Sequence, residues 1–473
     1  MQNKIKRLFI ESWMDYEGKV NTLERIHAWI DELNNKTKVK IEKNRLSESN
    51  NWFYDQEEGI IRNQNRSFFT IEGYERIDEK GNVVLQQPII HQHEIGYLGI
   101  IAQMKNGVLH FLMQAKIEPG NINKIQLSPT IQATKSNFTQ KHGGKRPKYL
   151  EYFLDARKHT IIVDQIQSEQ SSRFYKKRNR NIMILVDESE EIYVEPNFKW
   201  MTLGQIKAMM HFDNIVNMDT RTVLSCIPFY NHNLSEEELD ELEAKVDDKA
   251  LFRSIFRVKD EFLLPRMYQY INNTKMFEET KERFLPLKEM NQWIFDDHGI
   301  VYHKEHDFKV VFCDIMIEGR EVTHWSQPLF EATGIALFGL FTCVDEGIRK
   351  FLIKAKKEVG CFDLVEFGPS VQVEPSHLYH QHDQVTQLFI DKLNQKKDIR
   401  IDVLLSEEGG RFYHEQNRNA IIEIDKYDVD VNEEDGYFWC DYATLNTLVQ
   451  VNNTLNIQLR NVLSLLEVCH GNN

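Results

Sequence analysis

Trp200–Pro228 reads WMTLGQIKAMMHFDNIVNMDTRTVLSCIP, and a degraded copy of it closes the chain, so this stretch marks the end of one unit of a large internal repeat. Thr202 and Gln205 stand in the spacing of a capping box, and Leu203, Ile206, Met209 and Met210 recur at helical spacing behind them. The spacing therefore predicts an amphipathic helix that breaks at Asp213-Asn214. A polar knot follows, with Asn217, Asp219, Thr220, Arg221 and Thr222 crowded together before the apolar run resumes at Val223. Such density suits a ligand. It equally suits a second helix that Asp219 caps, with Arg221 paired to a carboxylate on the same surface.

Working outward, the same order of residues returns about 240 positions downstream. Gln87-Pro88 reappears as Gln327-Pro328, Phe111-Leu112 as Phe351-Leu352, Ala115-Lys116 as Ala355-Lys356 and Glu118 as Glu358. Gln132 becomes Gln372, Ser168-Glu169 becomes Ser406-Glu407, and Arg173-Phe174-Tyr175 becomes Arg411-Phe412-Tyr413. Asn179-Arg180-Asn181 becomes Asn417-Arg418-Asn419, and Arg221 becomes Arg460. Gene duplication accounts for this better than convergence. The expected division is a helical arm over 1–50, a first copy over 51–232, a helical connector over 233–290 and a second copy over 291–473.

A chain of 473 residues exceeds the size at which one core keeps growing, which agrees with two domains. Its 41% hydrophobic and 27% charged residues are those of an ordinary globular protein. A formal net charge of -14 argues against a general nucleic-acid or anionic-membrane binder, since both require a positive field. Six cysteines without CxxC spacing indicate neither a disulfide framework nor a zinc site. The N-terminal apolar run is too brief for a signal peptide and Gly334–Val344 too short to span a bilayer, so a cytoplasmic location with reduced thiols is expected.

Asn21 and Glu24 have capping-box spacing ahead of Leu23, Ile26, Trp29, Ile30 and Leu33, and Asn34-Asn35 is the expected end of that helix. Its apolar stripe packs either on its own domain or on a second subunit. From Trp52 the pattern turns to short alternating runs broken by turn residues, which predicts an α+β domain rich in antiparallel strands. Ser235 and Glu238 form another capping-box spacing at the head of an acidic connecting helix.

In Leu109–Glu118 the apolar residues alternate, which places Gln114, Lys116 and Glu118 together on the other strand face, ahead of a Pro119-Gly120 turn. The run Gln126–Thr134 puts Gln126, Ser128, Thr130, Gln132 and Thr134 opposite Leu127, Ile131 and Ala133. A pair of such strands makes either an ordinary solvated face or a pocket wall of amides, hydroxyls, one ammonium and one carboxylate. Arg173, Tyr175, Lys176, Lys177, Arg178 and Arg180 form the dense basic cluster of the chain. This cluster fits a diphosphate held by guanidinium contacts with a base stacked on Tyr175, or a basic strand edge that discourages pairing. In the second copy Lys177 and Arg178 are replaced by Glu415 and Gln416, and Asp219 and Thr220 by Gln458 and Leu459, which weakens that copy as a ligand site. His91/His93 and His380/His382 lack a third metal ligand. No GxGxxG, Walker A or GxSxG motif is present, and Ser406-Glu407-Glu408-Gly409-Gly410 only superficially echoes the metal-binding helix of a Nudix hydrolase.

The stretch WxTLGQ…DNxVNMDTRTVLSC, with QAKIEPGN (Gln114–Asn121), QLSPTIQATKSNFT (Gln126–Thr139), YLEYF (Tyr149–Phe153) and QSEQSSRFYKKRNRN (Gln167–Asn181), resembles the NDP-hexose 2,3-dehydratase family over nearly the whole chain. That resemblance implies a tandem duplication of a Nudix-hydrolase-like domain, with a mixed or antiparallel sheet and flanking helices. It further implies cofactor-independent 2,3-dehydration of a dTDP-4-keto-6-deoxyhexose by a homodimer, with a 3-ketoreductase acting on the product. The 4-ketone acidifies the C3 hydrogen, so the enzyme must supply a base, a donor for the C4 oxyanion and an acid for the departing C2 hydroxyl. Glu118 and Glu169 are candidates for base or acid and Lys116 for the oxyanion donor, unless the three form a structural ion network. Gln114, Gln132, Thr134, Arg173, Tyr175, Arg178, Asn179, Asn217, Asp219 and Arg221 are candidate substrate contacts, and no metal ligand is expected. A non-catalytic sugar-nucleotide-binding scaffold, or an epimerase or isomerase of the same keto-sugar, are the competing readings.

Overall fold

The duplicated sequence folds as two copies of one α+β unit, each built on a larger and a smaller sheet. The computed structural model describes residues 2–138, 146–229, 234–258, 260–318 and 322–469. Thr139, the last residue of the motif that starts at Gln126, and Asn233, the first residue of the expected connector, lie outside the described residues. In the first copy the larger sheet runs Thr160–Ser168, Arg178–Val186, Tyr97–Lys105, Val108–Ile117 and Phe198–Met201, with Ile125–Ser128 and Ile131–Ala133 paired alongside. The second copy repeats each pairing with Ile399–Ser406, Gln416–Glu423, Leu337–Asp345, Ile348–Lys357 and Tyr437–Asp441. Both sheets are mixed, because the second strand lies parallel to the third while its other neighbour is antiparallel.

The smaller sheets exchange a strand. Val39–Asn44, from the segment ahead of the first copy, pairs with Phe308–Ile317 of the second. Reciprocally, Lys281–Leu285, from the segment ahead of the second copy, pairs with Thr70–Ile77 of the first. The two small sheets then face one another over a common apolar layer that includes Trp52, Phe69 and Phe174 from one copy and Trp293, Phe308 and Phe412 from the other. The arm over 1–50 is accordingly helical only to Lys36, and the connector over 233–290 ends in a strand after its helices Glu236–Glu243, Lys249–Phe256 and Leu263–Met276. Val39–Asn44 alternates half-buried and exposed residues, which suits a strand laid on a sheet edge better than a helix.

Local sequence explains the helix starts. Thr202 and Gln205 form the expected capping box, as do Ser235 and Glu238. Thr22 rather than Asn21 caps Leu23–Lys36, because its hydroxyl accepts from the Arg25 amide while the Asn21 side chain is committed to the Trp200 carbonyl. Ile26, Trp29 and Ile30 of that helix are buried within this chain. Asn217, not Asp219, caps Met218–Ser225, accepting from the Thr220 amide at 2.9 Å.

Two buried arginines tie the copies together. Arg221, 1% exposed, donates across to the Ser406 carbonyl at 2.8 Å, to the Val216 carbonyl at 2.7 Å and to the Asn461 side chain at 3.3 Å. Arg460, its counterpart, donates to the Ser168 carbonyl, to the Thr222 hydroxyl and to the Leu455 carbonyl. A guanidinium can be buried this deeply only with its donors occupied, so Arg221 is a structural tie and not part of a surface ion pair. Among the described residues no helix is long and apolar enough to cross a membrane.

The tightest approach between copies is made by backbone. The Gly120 amide donates to the Gly409 carbonyl at 2.7 Å and the Gly120 carbonyl accepts from the His414 amide at 2.9 Å. The mirror turn does the same, with the Gly360 amide on the Ser171 carbonyl at 2.8 Å and the Lys176 amide on the Gly360 carbonyl at 2.7 Å. A Cβ at Gly120 would overlap the Phe412 carbonyl, and one at Gly360 the Phe174 carbonyl. Gly120→Ala and Gly360→Ala are each expected to cost about 1–3 kcal/mol, the usual range for forced overpacking, read from urea unfolding. Unchanged midpoints in both would show that the docking of the turns is not needed for stability.

Candidate active site

Glu118 leaves the strand Val108–Ile117 where Pro119-Gly120 turns towards the second copy. Its Oε1 meets Lys116 Nζ at 3.2 Å and accepts from Gln132 Nε2 at 3.1 Å. The Gln132 carbonyl oxygen in turn accepts from Asn217 Nδ2 at 3.2 Å, and that amide also donates to Ser128 Oγ at 2.8 Å. The polar face expected from alternation thus converges on one carboxylate. Its second strand, however, is two strands: Ile125–Ser128 pairs with Val108–Ile117, whereas Ile131–Ala133 pairs with Tyr97–Lys105. Pro129, lacking an amide hydrogen, interrupts the ladder, and Leu127 packs into a different core layer from Ile131 and Ala133.

A second group of charges lies behind. Glu169 is 3% exposed; its Oε1 accepts from Asn179 Nδ2 at 2.7 Å and its Oε2 has no partner. The Asn179 side-chain oxygen accepts from the Gly96 amide and from Lys177 Nζ, each at 3.0 Å, and Lys177 also donates to the Glu94 carbonyl. Burial, reinforced by the Glu408 carboxylate, pushes Glu169 up to about 7. Burial pulls Lys177 down to about 8 against the attraction of Glu169 and Glu408. Asp219, 2% exposed, is raised well above the usual carboxylate range by burial and by its neighbours Glu169, Glu408 and Glu118. Its position among these groups places it in the cluster rather than at a helix cap.

Two members of the cluster come from the second copy, and reading the sequence missed both. The loop that docks on Gly120 carries Glu408 and Arg411. Glu408 Oε1 and Glu118 Oε1 lie 2.8 and 3.6 Å from one point, the position a Cβ would take on Gly410, so the two carboxylates share one side of the site. Arg411 stacks on Phe69 at 4.3 Å, donates to Gln92 Oε1 at 3.2 Å and to the Gly410 carbonyl at 2.8 Å, and its buried Nε has no hydrogen-bond partner among the described residues. The sign that would have found them is the mismatch of Glu408 with Gln170 inside an otherwise matching motif.

The mirror cluster uses Glu358, which accepts from Gln372 Nε2 at 2.7 Å, and Asn456, which donates to Gln372 Oε1 at 3.1 Å. Here the first copy lends the loop. Arg173 stacks on Phe308 at 4.2 Å and is neutralised by Glu374 at 3.3 Å. Glu374 occupies the place of Thr134, and Arg411, whose cluster has threonine at that place, is attracted instead by Glu408, Glu118 and Glu94. Arg173 is 2% exposed, whereas Arg411 is half-buried.

The basic cluster is therefore dispersed. Arg173 belongs to the mirror cluster, and Tyr175 packs among Tyr74, His91 and Phe284 beside Glu282. Lys177 enters the first site, Arg178 stacks on Phe362 of the second copy at 3.6 Å, and Arg180 pairs with Asp164 at 2.6 Å. The cause is geometric: alternate residues of Arg178–Val186 point to opposite faces, and residues 171–176 form the loop lent to the other copy. Among the described residues, Gln114, paired across to Ser128, and Thr134, following Ile131–Ala133, make no hydrogen bond to the Glu118 group, and Arg221 serves the tie between copies. Among the described residues no group of three or more His, Cys, Asp or Glu is arranged for a metal ion.

Because Glu169 titrates higher in the folded protein than in the unfolded chain, the native state holds the extra proton between roughly pH 4.5 and 7. Stability is then lost as pH rises through that window and levels off above it. Glu169→Gln removes the penalty, so its melting temperature relative to the parent should rise between pH 5 and pH 8. A difference independent of pH would mean that Glu169 is ionised and paired.

The family model described as NDP-hexose 2,3-dehydratase matches this chain twice, over residues 23–227 and 265–466. Each match opens on the helix that precedes an exchanged strand. Three proteins described as dTDP-4-dehydro-6-deoxy-alpha-D-glucopyranose 2,3-dehydratase are similar over nearly their whole lengths. The one from Saccharopolyspora spinosa is 35% identical over 97% of this chain and 94% of its own. The Amycolatopsis orientalis protein is 32% identical over 95% and 91%, and the Streptomyces violaceoruber protein 34% over 93% and 95%. With both copies matched and these identities spanning the chain, the protein belongs to the NDP-hexose 2,3-dehydratase family.

Proposed function

We propose that this protein removes water across C2 and C3 of a dTDP-4-keto-6-deoxyhexose, giving the 3,4-diketo-2,6-dideoxy sugar. The observation that carries the reading, beside family membership, is the Glu118 carboxylate, held by Lys116 and Gln132 at the edge of a largely buried polar cluster. Glu118 as base takes the C3 proton, and the electron pair moves into the C4 ketone as an enolate. Lys116, 3.2 Å from Glu118, is placed to stabilise the oxygen charge that develops as the proton leaves. Collapse of the enolate expels the C2 hydroxyl as water once an acid protonates it, and the resulting C3 enol becomes the ketone. Glu169, whose proton is retained to about pH 7, is a reservoir one amide away from Lys177.

The first copy is the working one in this reading. Its cluster carries Lys177, Asp219 and a half-buried Arg411, where the mirror cluster carries Glu415, Gln458 and an Arg173 paired with Glu374. The mixed sheet with flanking helices agrees with a Nudix-like unit in each copy, and the resemblance extends the proposal to a homodimer acting in the cytoplasm. The reactive 3,4-diketone calls for a following 3-ketoreductase.

Product mass separates the dehydratase, which loses water, from an epimerase, which conserves mass, and from a scaffold, which binds without reaction. Protein treated with a chelator and given no nicotinamide should still dehydrate the substrate, because the ketone is the electron sink; strict dependence on an added metal or NAD would sink the mechanism. Glu118→Gln should lower single-turnover rate about a hundredfold or more with little change in dTDP-sugar affinity. Glu358→Gln, its counterpart, should stay within a few-fold of the parent. Equal losses from the two would assign the chemistry to both copies, and near-parental turnover in folded Glu118→Gln would remove it as base.

A further inference from the structure

The geometry points to Glu408, a residue of the second copy, as the acid that protonates the departing C2 hydroxyl in the first copy's site. The inference rests on the dehydratase reading and on the first copy's being the working one. Four observations lead to it. The loop carrying Glu408 is fixed to the turn after Glu118 by the two backbone bonds at Gly120. Glu408 Oε1 and Glu118 Oε1 lie 2.8 and 3.6 Å from the position of a Cβ on Gly410, which brings the two carboxylates near enough to act on neighbouring carbons of one sugar ring. Glu408 is half-buried, and its carboxylate has no hydrogen-bond partner among the described residues, whereas Glu169 is sealed and bonded to Asn179. Finally, pseudo-symmetry isolates it: Glu118 and Glu169 persist as Glu358 and Glu407, but Glu408 corresponds to Gln170, which is 1% exposed and donates to Glu415 at 3.4 Å.

The step balances without another reactant. Glu118 takes H⁺ from C3, and the C3–H electron pair becomes the enolate. The enolate then forms the C2–C3 double bond as the C2–O bond breaks, and the Glu408 proton leaves with the hydroxyl as water. Ketonisation returns both groups: C2 receives the proton held by Glu118, and the enol O–H proton passes to Glu408. Two carboxylates close together disfavour double ionisation, and Glu408 is raised above the usual carboxylate range by burial and by Glu118, although Arg411 opposes this.

The test is Glu408→Gln in the full chain, a nearly isosteric change that installs the side chain of the mirror position. Water loss from dTDP-4-keto-6-deoxyglucose should fall a hundredfold or more, dTDP-sugar affinity should stay within a few-fold, and the melting temperature should not drop. Incubated in D₂O, this variant should still exchange the C3 hydrogen of recovered substrate, because the base is intact, whereas Glu118→Gln should lose exchange and water loss together. Near-parental water loss in Glu408→Gln would overturn the proposal. So would loss of C3 exchange with the ligand still bound, since that would make Glu408 part of the base. Parental protein run alongside keeps the outcomes apart: if it releases no water, the dehydratase reading itself fails; if Glu358→Gln is as damaging as Glu118→Gln, the choice of copy fails.

Discussion

Four backbone hydrogen bonds at Gly120 and Gly360 set what each copy can be. Each turn spends its amide and carbonyl on the other copy's loop, at a separation that leaves no room for a side chain on the glycine. Leaving such groups buried and unpaired would cost about 1–3 kcal/mol apiece, so neither turn can retract from its partner cheaply. The strand exchange and the arginine ties act in the same sense, since Val39–Asn44, Lys281–Leu285, Arg221 and Arg460 all complete the opposite copy. A duplicated unit of this kind cannot discard one half when only one half does chemistry, because each half closes the other's polar cluster.

Divergence has therefore proceeded by changing charges within a fixed frame. Thr134 against Glu374, Lys177 against Glu415 and Asp219 against Gln458 change the charge of each cluster while the strand pairings of the two copies stay the same. In the mirror cluster Arg173 is paired at 3.3 Å and closed off, and the neighbouring carboxylates Glu366 and Glu407 are driven to about 7 and 8 by burial. An anionic or polar ligand entering there meets a neutralised arginine and an added glutamate. The first cluster gathers three cations, Lys116, Lys177 and Arg411, where the mirror cluster has Glu415 in place of Lys177, and this difference in charge favours the first copy for an anionic ligand.

Much of this was legible in the sequence where local rules dominate. Alternation in Leu109–Glu118 placed Lys116 with Glu118, capping-box spacing located helices at Thr202 and Ser235, and the offset repeat announced two equivalent units. Other features depend on partners far along the chain. Val39–Asn44 and Lys281–Leu285 are six and five residues long and carry no mark of the sheet they join. The run Arg173–Arg180 reads as one basic patch, but a loop lent across the interface and a strand pointing to both faces send its cations to different places. Pro129 was visible, yet only the pairing shows that it divides one alternating run between two neighbours.

Elimination from a β-hydroxy ketone needs a carboxylate and a carboxylic acid in the same place at the same pH, although both have the same intrinsic acidity. Burial alone does not separate them, since it raises every carboxylate it touches; what separates them is unequal company. Glu118 has Lys116 and the Gln132 amide within 3.2 Å. Glu169, Asp219 and Glu408 are instead raised above the usual carboxylate range by burial and by like charges, so a proton on any one of them relieves repulsion within the group. In the proposed mechanism, a base bonded to copy-one donors and acids crowded at the junction of the copies both depend on the backbone docking that makes the duplication inseparable.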